Sequence, residues 1–383
     1  MPRILTLSTL YPNAFRPSFG VFVERQTLAL AGREGVEVEV VSPVGLPPWP
    51  LTLHPHYRSR AGLPATETRQ GLTVHRPRFR IWPGLGGAGA ALSLADAVLP
   101  LARALRPDVV DAEFFWPDGA AAMHLAEALG VPFSIKARGS DIHFWGDRPA
   151  VRRQLLEAAR RAGGLLAVSA ALKADMAAMG MPQDKIRVHY TGVDLDRFRP
   201  TDRSAAKRRL GVEGPLIVTP GNLVPLKGQR LVVEALEQVP EATLLLAGEG
   251  PERRALEALI AALGLGTRAR LLGTVPPESM PELLAAADLM ALPSEREGLA
   301  NVWIESLASG TPILIADVGG AREVLDRAEA GRLVAREAGA IAAAAREMLA
   351  SPPDRAAVRR SAERFSWERN GAELHAHLAG LLV

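Results

Sequence analysis

Short apolar runs alternate along the whole chain with longer stretches of helical period, the pattern of parallel sheets joined by crossover helices. Arg3–Ser8 reads as the first strand, Gly20–Ala31 as a helix and Val36–Ser42 as the next strand. Pro43–Arg69, rich in proline and arginine, reads as a long loop. Leu72–His75 then reads as a strand and Ala88–Leu105 as a helix. Asp108–Ala112, Pro132–Lys136, Gly164–Val168 and Ile186–His189 follow as strands with helices between them. The polar, turn-rich stretch Thr191–Pro200 interrupts this rhythm, and the pattern restarts beyond it. Strands are predicted at Pro215–Thr219, Thr243–Ala247, Arg270–Leu272, Asp288–Leu292 and Ile313–Ala316, a helix at Gly228–Val239, and a helical tail from Ala356 to Val383. The fold class is α/β, with one domain over 1–195, a second over 196–360 and a tail over 361–383.

Composition adds boundaries. The 383 residues are enough for two domains at about 100–200 residues each. Apolar residues make up 48% of the chain, so each domain can bury a core. There is no cysteine, which excludes disulfides and thiolate metal sites and fits a reducing compartment. Met1–Leu7 runs straight into a strand pattern without a signal-peptide layout. Asp96 and Arg103 break up the apolar stretch Ala88–Leu105, leaving it too short to span a bilayer. A soluble, cytoplasmic protein is expected.

The formal net charge is +3, but the positive charge is uneven. Arg58, Arg60, Arg69, Arg76, Arg78 and Arg80 cluster in one segment, and Arg148, Arg152, Arg153, Arg160 and Arg161 in another. Such segments can rest on anionic lipid at the inner membrane surface, or simply form a solvated face. No aromatic interleaving or known binding module accompanies the arginines, so nucleic acid is not expected as a partner.

Candidate chemistry concentrates in the second half. In Pro293–Pro312 a turn leads through Glu297 and Gly298 into an amphipathic helix near Asn301, which ends at Gly310 and Pro312. A helix start offers free N–H groups and a partial positive charge, so Gly298, Leu299, Ala300 and Asn301 form a segment suited to an anion. Glu305 is an acceptor-only group that can hold ribose hydroxyls, and Glu297 those of a sugar. The loop Gly221–Gly228 follows a strand and opens a helix, where open parallel sheets bind ligands, and it carries Asn222, Lys227 and Gly228. It lacks the G-K-[ST] of a P-loop. Lysine at a helix start opposes the dipole, so Lys227 calls for an anion. Thr243–Pro251 has Arg253 where a dinucleotide fingerprint needs its third glycine, which speaks against nicotinamide or flavin. Asp194-Leu195-Asp196 falls in the linker and reads as incidental; no His cluster has metal spacing, and no metal ion or other cofactor is expected.

These motifs together resemble the retaining glycosyltransferase family 4, over nearly the whole chain. The family's E-G-F-G-L, second Glu and G-x-P read here as Glu297 to Asn301, Glu305 and Gly310-Thr311-Pro312. Its G-R-x-x-x-x-K-G reads Gly221 to Gly228, with Asn222 in place of the arginine and Lys227 matching. D-x-G-G-x-x-E reads Asp317 to Glu323, and the linker N-G-V-D-x-x-x-F-x-P begins here with Thr191. Leu272–Val275 resembles the segment that meets the nucleotide base. In the first half, Pro17–Gly20 resembles the family's glycine loop, and Arg138-Gly139-Ser140-Asp141-Ile142-His143 its H-G-x-D, with Arg138 where histidine is usual.

The resemblance implies the GT-B fold: two Rossmann-like parallel-sheet domains facing each other across a cleft, with the tail packed back on the first. It implies transfer of a sugar from a nucleotide-diphosphate sugar to a hydroxyl acceptor, with Glu297, Lys227 and Arg138 as catalytic residues. Asn222, Gly228, Val275, Gly298, Leu299, Ala300, Asn301 and Glu305 would bind the donor, and Gly20, Asp141 and His143 would line the acceptor side. Arg138 is expected to offset the cation missing at Asn222, and His143 is weighed as a displaced catalytic histidine. The acceptor is expected to be a cell-envelope or exopolysaccharide glycan, lipid-linked, with peripheral membrane contact. A nucleotide-sugar-binding protein without transfer activity and a nucleotide-sugar 2-epimerase are the alternatives.

Overall fold

The computed structural model describes residues 1–82, 87 and 89–382. Ala88, the expected start of one helix, and Val383, the end of the expected tail, lie outside the described residues. The chain divides into two compact units: Met1–Gly192 with Trp367–Val383, and Val193–Ser366. The expected tail from residue 361 therefore splits. Residues 361–366 belong to the second unit, where the Val193 N–H donates to the Phe365 carbonyl, and the final helix, Trp367–Ala379, belongs to the first.

The first unit is built on an eight-stranded sheet. From edge to edge its strands are Ile186–Val188, Gly164–Ala167, Phe133–Ala137, Val109–Ala112, Arg3–Leu7, Glu37–Val41, Leu72–His75 and Thr66–Arg69. All pairs are parallel except the last, where Thr66–Arg69 runs antiparallel to Leu72–His75. Val109–Ala112, Phe133–Ala137 and Gly164–Ala167 are buried throughout, as expected of strands covered on both faces by helices.

The expected loop Pro43–Arg69 is a correction. It contains the strand Val44–Leu46, the helix Pro55–Ala61 and the strand Thr66–Arg69. Val44–Leu46 pairs with Arg78–Arg80, a strand that short-range pattern did not predict. The pairing is long-range, so no local propensity announces it. The last helix lies against the helix Val21–Ala31, where a side chain on Gly371 would run into the Ala29 backbone. His189 Nε2 donates to the Asn370 carbonyl (2.9 Å) and Asn370 Nδ2 to the Tyr190 carbonyl (2.6 Å), which fastens that helix further.

The second unit is a six-stranded parallel sheet in the order Ala269–Gly273, Thr243–Ala247, Leu216–Pro220, Leu289–Leu292, Ile313–Ile315, Gly331–Leu333. Its core joins Leu244, Leu246, Leu289 and Leu314 of the strands to Val232, Leu256, Ile341 and Met348 of the covering helices. Connections leave to one side of the Leu216–Pro220 strand and later to the other. The strand order therefore reverses between Leu216–Pro220 and Leu289–Leu292, and a crevice opens at such a point at the carboxyl ends of the strands.

Candidate active site

The two loops singled out in the second half start from the two strands at that reversal. Gly221–Gly228 follows Leu216–Pro220, and Pro293–Ala300 follows Leu289–Leu292. They lie side by side, with the Glu295 N–H donating to the Leu226 carbonyl (2.7 Å). Gly228 has φ 73°, and a Cβ there would stand 2.5 Å from the Pro293 carbonyl oxygen, so the close approach requires glycine twice over. Across this contact Lys227 Nζ donates to Glu297 Oε1; the side chains are 25% and 12% exposed.

The same loops are braced from behind. The Gly320 N–H donates to the Gly298 carbonyl (2.8 Å), and Gly319, at φ 51°, lies so near the Glu297 and Gly298 carbonyls that any side chain would collide. The segment Asp317–Glu323 thus sets the position of Glu297. Gly248 and Gly250 press against the backbone of Gly221 and Leu223, and the Leu223 N–H donates to the Glu249 carbonyl (2.9 Å). Arg336 Nε donates to the Pro293 carbonyl (3.0 Å). Sequence reasoning did not assign Arg336 or the Gly248–Gly250 brace; the paired glycines were the available signal.

The helix Asn301–Ala308 begins at Ala300 with no side-chain cap, so its first amides keep their donors. Gly298 and Leu299 are buried, Ala300 and Asn301 half-buried. Glu305 is on this helix. Burial pushes its carboxyl up from 4.5 to about 7, against the lowering influence of Arg197, and no side chain among the described residues bonds it. Asn222 is exposed, and its backbone carbonyl accepts from Gln229 Nε2 (2.9 Å). Val275 is half-buried, just past the strand Ala269–Gly273 at the same end of the sheet. Asp194 Oδ1 accepts from the Arg197 N–H (3.0 Å), which accounts for the first aspartate of Asp194-Leu195-Asp196 as a turn former.

The residues expected on the acceptor side belong to the first unit. Gly20 starts the helix Val21–Ala31 and lies against the Leu10 carbonyl. Asp141 is fully buried and accepts the N–H groups of Phe115 (3.0 Å), Arg138 (3.0 Å) and Gly139 (2.8 Å). Burial raises its pKa while those three bonds oppose the rise, so Asp141 clamps two loops together. His143 turns to Asp175 (Nε2 to Oδ2, 2.9 Å) at the surface.

Arg138 is tied into a buried network. Its guanidinium pairs with Glu113, donates from Nε to the Glu113 carbonyl (3.1 Å) and stands 4.7 Å from the Phe22 ring centre. Glu113 also accepts from Gln26, whose Oε1 takes Lys136 Nζ (2.5 Å); Lys136 Nζ is 2.9 Å from His189 Nδ1. The neighbouring Glu113 pairs with Arg138, while the buried Nη1 of Arg138 has no hydrogen-bond partner among the described residues. Burial, with Arg138 beside it, lowers Lys136 to about 7, and burial drives His189 well below its ordinary value. His189 is therefore neutral, accepting at Nδ1 and donating from Nε2. The individual charged residues were visible in the sequence, but nothing local showed that helix, strands and tail bring them together.

Among the described residues no helix is long and apolar enough to cross a membrane. Residues 20–197 match the family model Glycosyltransferase Family 4, and residues 201–365 match Glycosyl transferases group 1. A Bacillus subtilis (strain 168) protein named for teichuronic acid biosynthesis as glycosyltransferase TuaC is 31% identical over 83% of this chain and 82% of its own length. The 2-deoxystreptamine glucosyltransferase of Streptomyces kanamyceticus is 30% identical over 78% of this chain and 81% of its own. Among solved structures, HepE of Anabaena in complex with UDP-glucose superimposes with a TM-score of 0.76 at 21% identity, covering 99% of both chains. Sucrose-phosphate synthase of Thermosynechococcus elongatus gives a TM-score of 0.82 at 19% identity, covering 100% of this chain and 99% of that one. The fold is GT-B, and the alternatives of a non-transferring binder or an epimerase are not favoured. With paired loops at the strand reversal and relatives of this length and identity, the chain belongs to glycosyltransferase family 4 and is a glycosyltransferase.

Proposed function

We propose that this enzyme moves a sugar from a nucleotide-diphosphate sugar to a hydroxyl of a lipid-linked glycan acceptor at the inner membrane surface, with retention of anomeric configuration. The observation that carries the reading is the meeting of Lys227 and Glu297 at the strand reversal, beside the uncapped start of the helix that bears Glu305. A donor entering there exchanges one ion pair for two matched contacts: the diphosphate takes Lys227 and the helix amides, and the sugar hydroxyls take Glu297. Glu305 accepts the ribose hydroxyls. The relatives support the donor class and the glycan context, through a neighbour solved with UDP-glucose and a relative named for teichuronic acid synthesis.

Chemically, the bond from the anomeric carbon to the diphosphate oxygen breaks and a bond to the acceptor oxygen forms. The acceptor's proton passes to the departing phosphate oxygen on the same face of the sugar. Negative charge grows on the diphosphate as its bond stretches, so fixed donors aimed at that position lower the barrier more than they stabilise the ground state. Lys227 and the amides of Gly298–Asn301 supply these donors, and the step is proposed to need no metal ion.

The test is turnover of nucleotide-diphosphate sugars by the full chain with a lipid-linked glycan acceptor, followed by NMR of the product's anomeric proton. Release of nucleoside diphosphate that depends on the acceptor, with the donor's anomeric configuration kept, is expected. An inverted product refutes retention; donor bound but never consumed refutes transfer.

A further inference from the structure

The first unit has its own strand reversal, between Arg3–Leu7 and Val109–Ala112, and a chamber of about 920 Å³ opens there. Thr9–Tyr11, following the first of these strands, and Trp116–Pro117, following the second, form part of its lining. Its walls are aromatic: Tyr57, Phe79, Trp82, Trp116 and Trp145. Among the described residues its charged lining is all of one sign, because five arginines contribute and no acidic residue does.

The five are not alike. Arg76 is 2% exposed and saturated, bonded to Glu67, to Ser42 Oγ (3.1 Å) and to the Pro12 carbonyl (2.6 Å); it is a structural floor. Arg16, Arg60, Arg80 and Arg148 have no carboxylate partner among the described residues. Arg16 rests over the Phe19 ring at 3.7 Å and Arg148 over Trp145 at 4.2 Å, so rings serve where anions are absent. Burial and the charge of Arg60 both depress the pKa of Arg16, as expected where cations crowd without a counter-ion. Exposed apolar side chains flank the lining in sequence: Phe15 beside Arg16, Phe144 beside Trp145, and Trp49, Leu51 and Leu53 between Gly45 and Tyr57.

A free sugar is recognised by carboxylates and amides, and among the described residues this lining has no carboxylate. A purely apolar ligand leaves the four cations without an anion, and inorganic phosphate leaves the aromatic walls wet. Both demands are met by one molecule with an apolar chain and a phosphate end. We propose that this chamber is the acceptor site and that it holds the lipid phosphate portion of the lipid-linked glycan, an apolar chain on the aromatic walls with its phosphate or diphosphate on Arg16, Arg60, Arg80 and Arg148, while the attached glycan carries the accepting hydroxyl. The assignment rests on the transfer reading above and names its acceptor class. The exposed apolar residues that flank the lining in sequence, Trp49, Leu51, Leu53 and Phe144, suit a bilayer surface from which such a lipid is drawn.

Three tryptophans line the chamber, so tryptophan fluorescence of the full chain reports its filling. Farnesyl diphosphate is the probe, with farnesol and inorganic pyrophosphate as its two halves and a nucleoside diphosphate as a separate ligand. Farnesyl diphosphate is expected to bind at least about tenfold tighter than either half, and the double variant Arg16→Ala, Arg60→Ala to weaken it by at least about tenfold. Lys227→Ala should leave this binding unchanged, and the double variant should leave nucleoside diphosphate binding unchanged, which also shows that it is folded. Equal affinity for pyrophosphate or for farnesol overturns the acceptor class, as does binding that Lys227→Ala abolishes. Loss of the probe with nucleotide binding intact leaves the transfer reading standing; absent nucleotide binding with the probe still bound counts against the transfer reading alone.

Discussion

Two strand reversals occur in this chain, on sheets of the same kind, and they hold charge differently. In the second unit Lys227 and Glu297 lie on neighbouring loops, partly exposed and paired with each other. In the first, Arg138, Glu113, Lys136 and Gln26 sit almost wholly buried and bonded to one another. One pair can be taken apart by a ligand, because water already reaches it. The other holds helix, strands and tail in place, because separating it strands ions out of water. A strand reversal thus fixes where a site can be, while exposure of the charges decides whether they act or hold.

That contrast is broken most severely at Glu113. Glu113→Ala removes the carboxylate that pairs with buried Arg138, leaving Asp111 near the two cations, and should cost about 3–5 kcal/mol of stability, read as the denaturation midpoint of the full chain. Glu297→Ala removes a partly exposed partner and should cost less than about 1 kcal/mol by the same measurement. Comparable losses at the two positions would erase the distinction.

Glu305 gives a smaller, pH-dependent effect. Its carboxyl titrates near about 7, raised by burial, whereas ribose hydroxyls donate best to the ionised form. Nucleotide binding must expel the proton at low pH, so affinity should rise about tenfold from pH 6 to 8 and flatten in Glu305→Gln, as measured by calorimetry. The sign for folding is the opposite. A raised carboxyl pKa contributes stability that is complete below the unfolded value near 4.5 and is lost as pH climbs through about 7. A nucleotide affinity that falls with pH would remove Glu305 from the ribose.

Much of the second unit was legible because its signals are local. Glycine and proline punctuate the apolar runs, and Glu297, Gly298 and Asn301 stand within five residues of each other, where turn and helix-start chemistry is written directly. The first unit was harder to read. Val44–Leu46 finds its partner strand 34 residues away, and the proline-rich run around it carries no strand period. Arg138 stood where the family places histidine, but its true partners, Glu113 and Gln26, lie 25 and 112 residues away. Lys136 in the strand Phe133–Ala137 was the one available clue, since a lysine inside an all-buried strand must have company. Arg60, Arg76, Arg80 and Arg148 read in the sequence as part of a solvated or lipid-facing face; only the fold separates saturated Arg76 from Arg60, which has no carboxylate partner among the described residues.

The central claim is that Lys227 binds the donor's diphosphate, and calorimetry of Lys227→Ala against a nucleoside, its monophosphate and its diphosphate tests it most directly. The account predicts that the wild-type chain gains affinity with each added phosphate and that the variant loses the diphosphate's gain, by about ten- to a hundredfold, while the bare nucleoside binds as before. An undiminished preference for the diphosphate in the variant would contradict it.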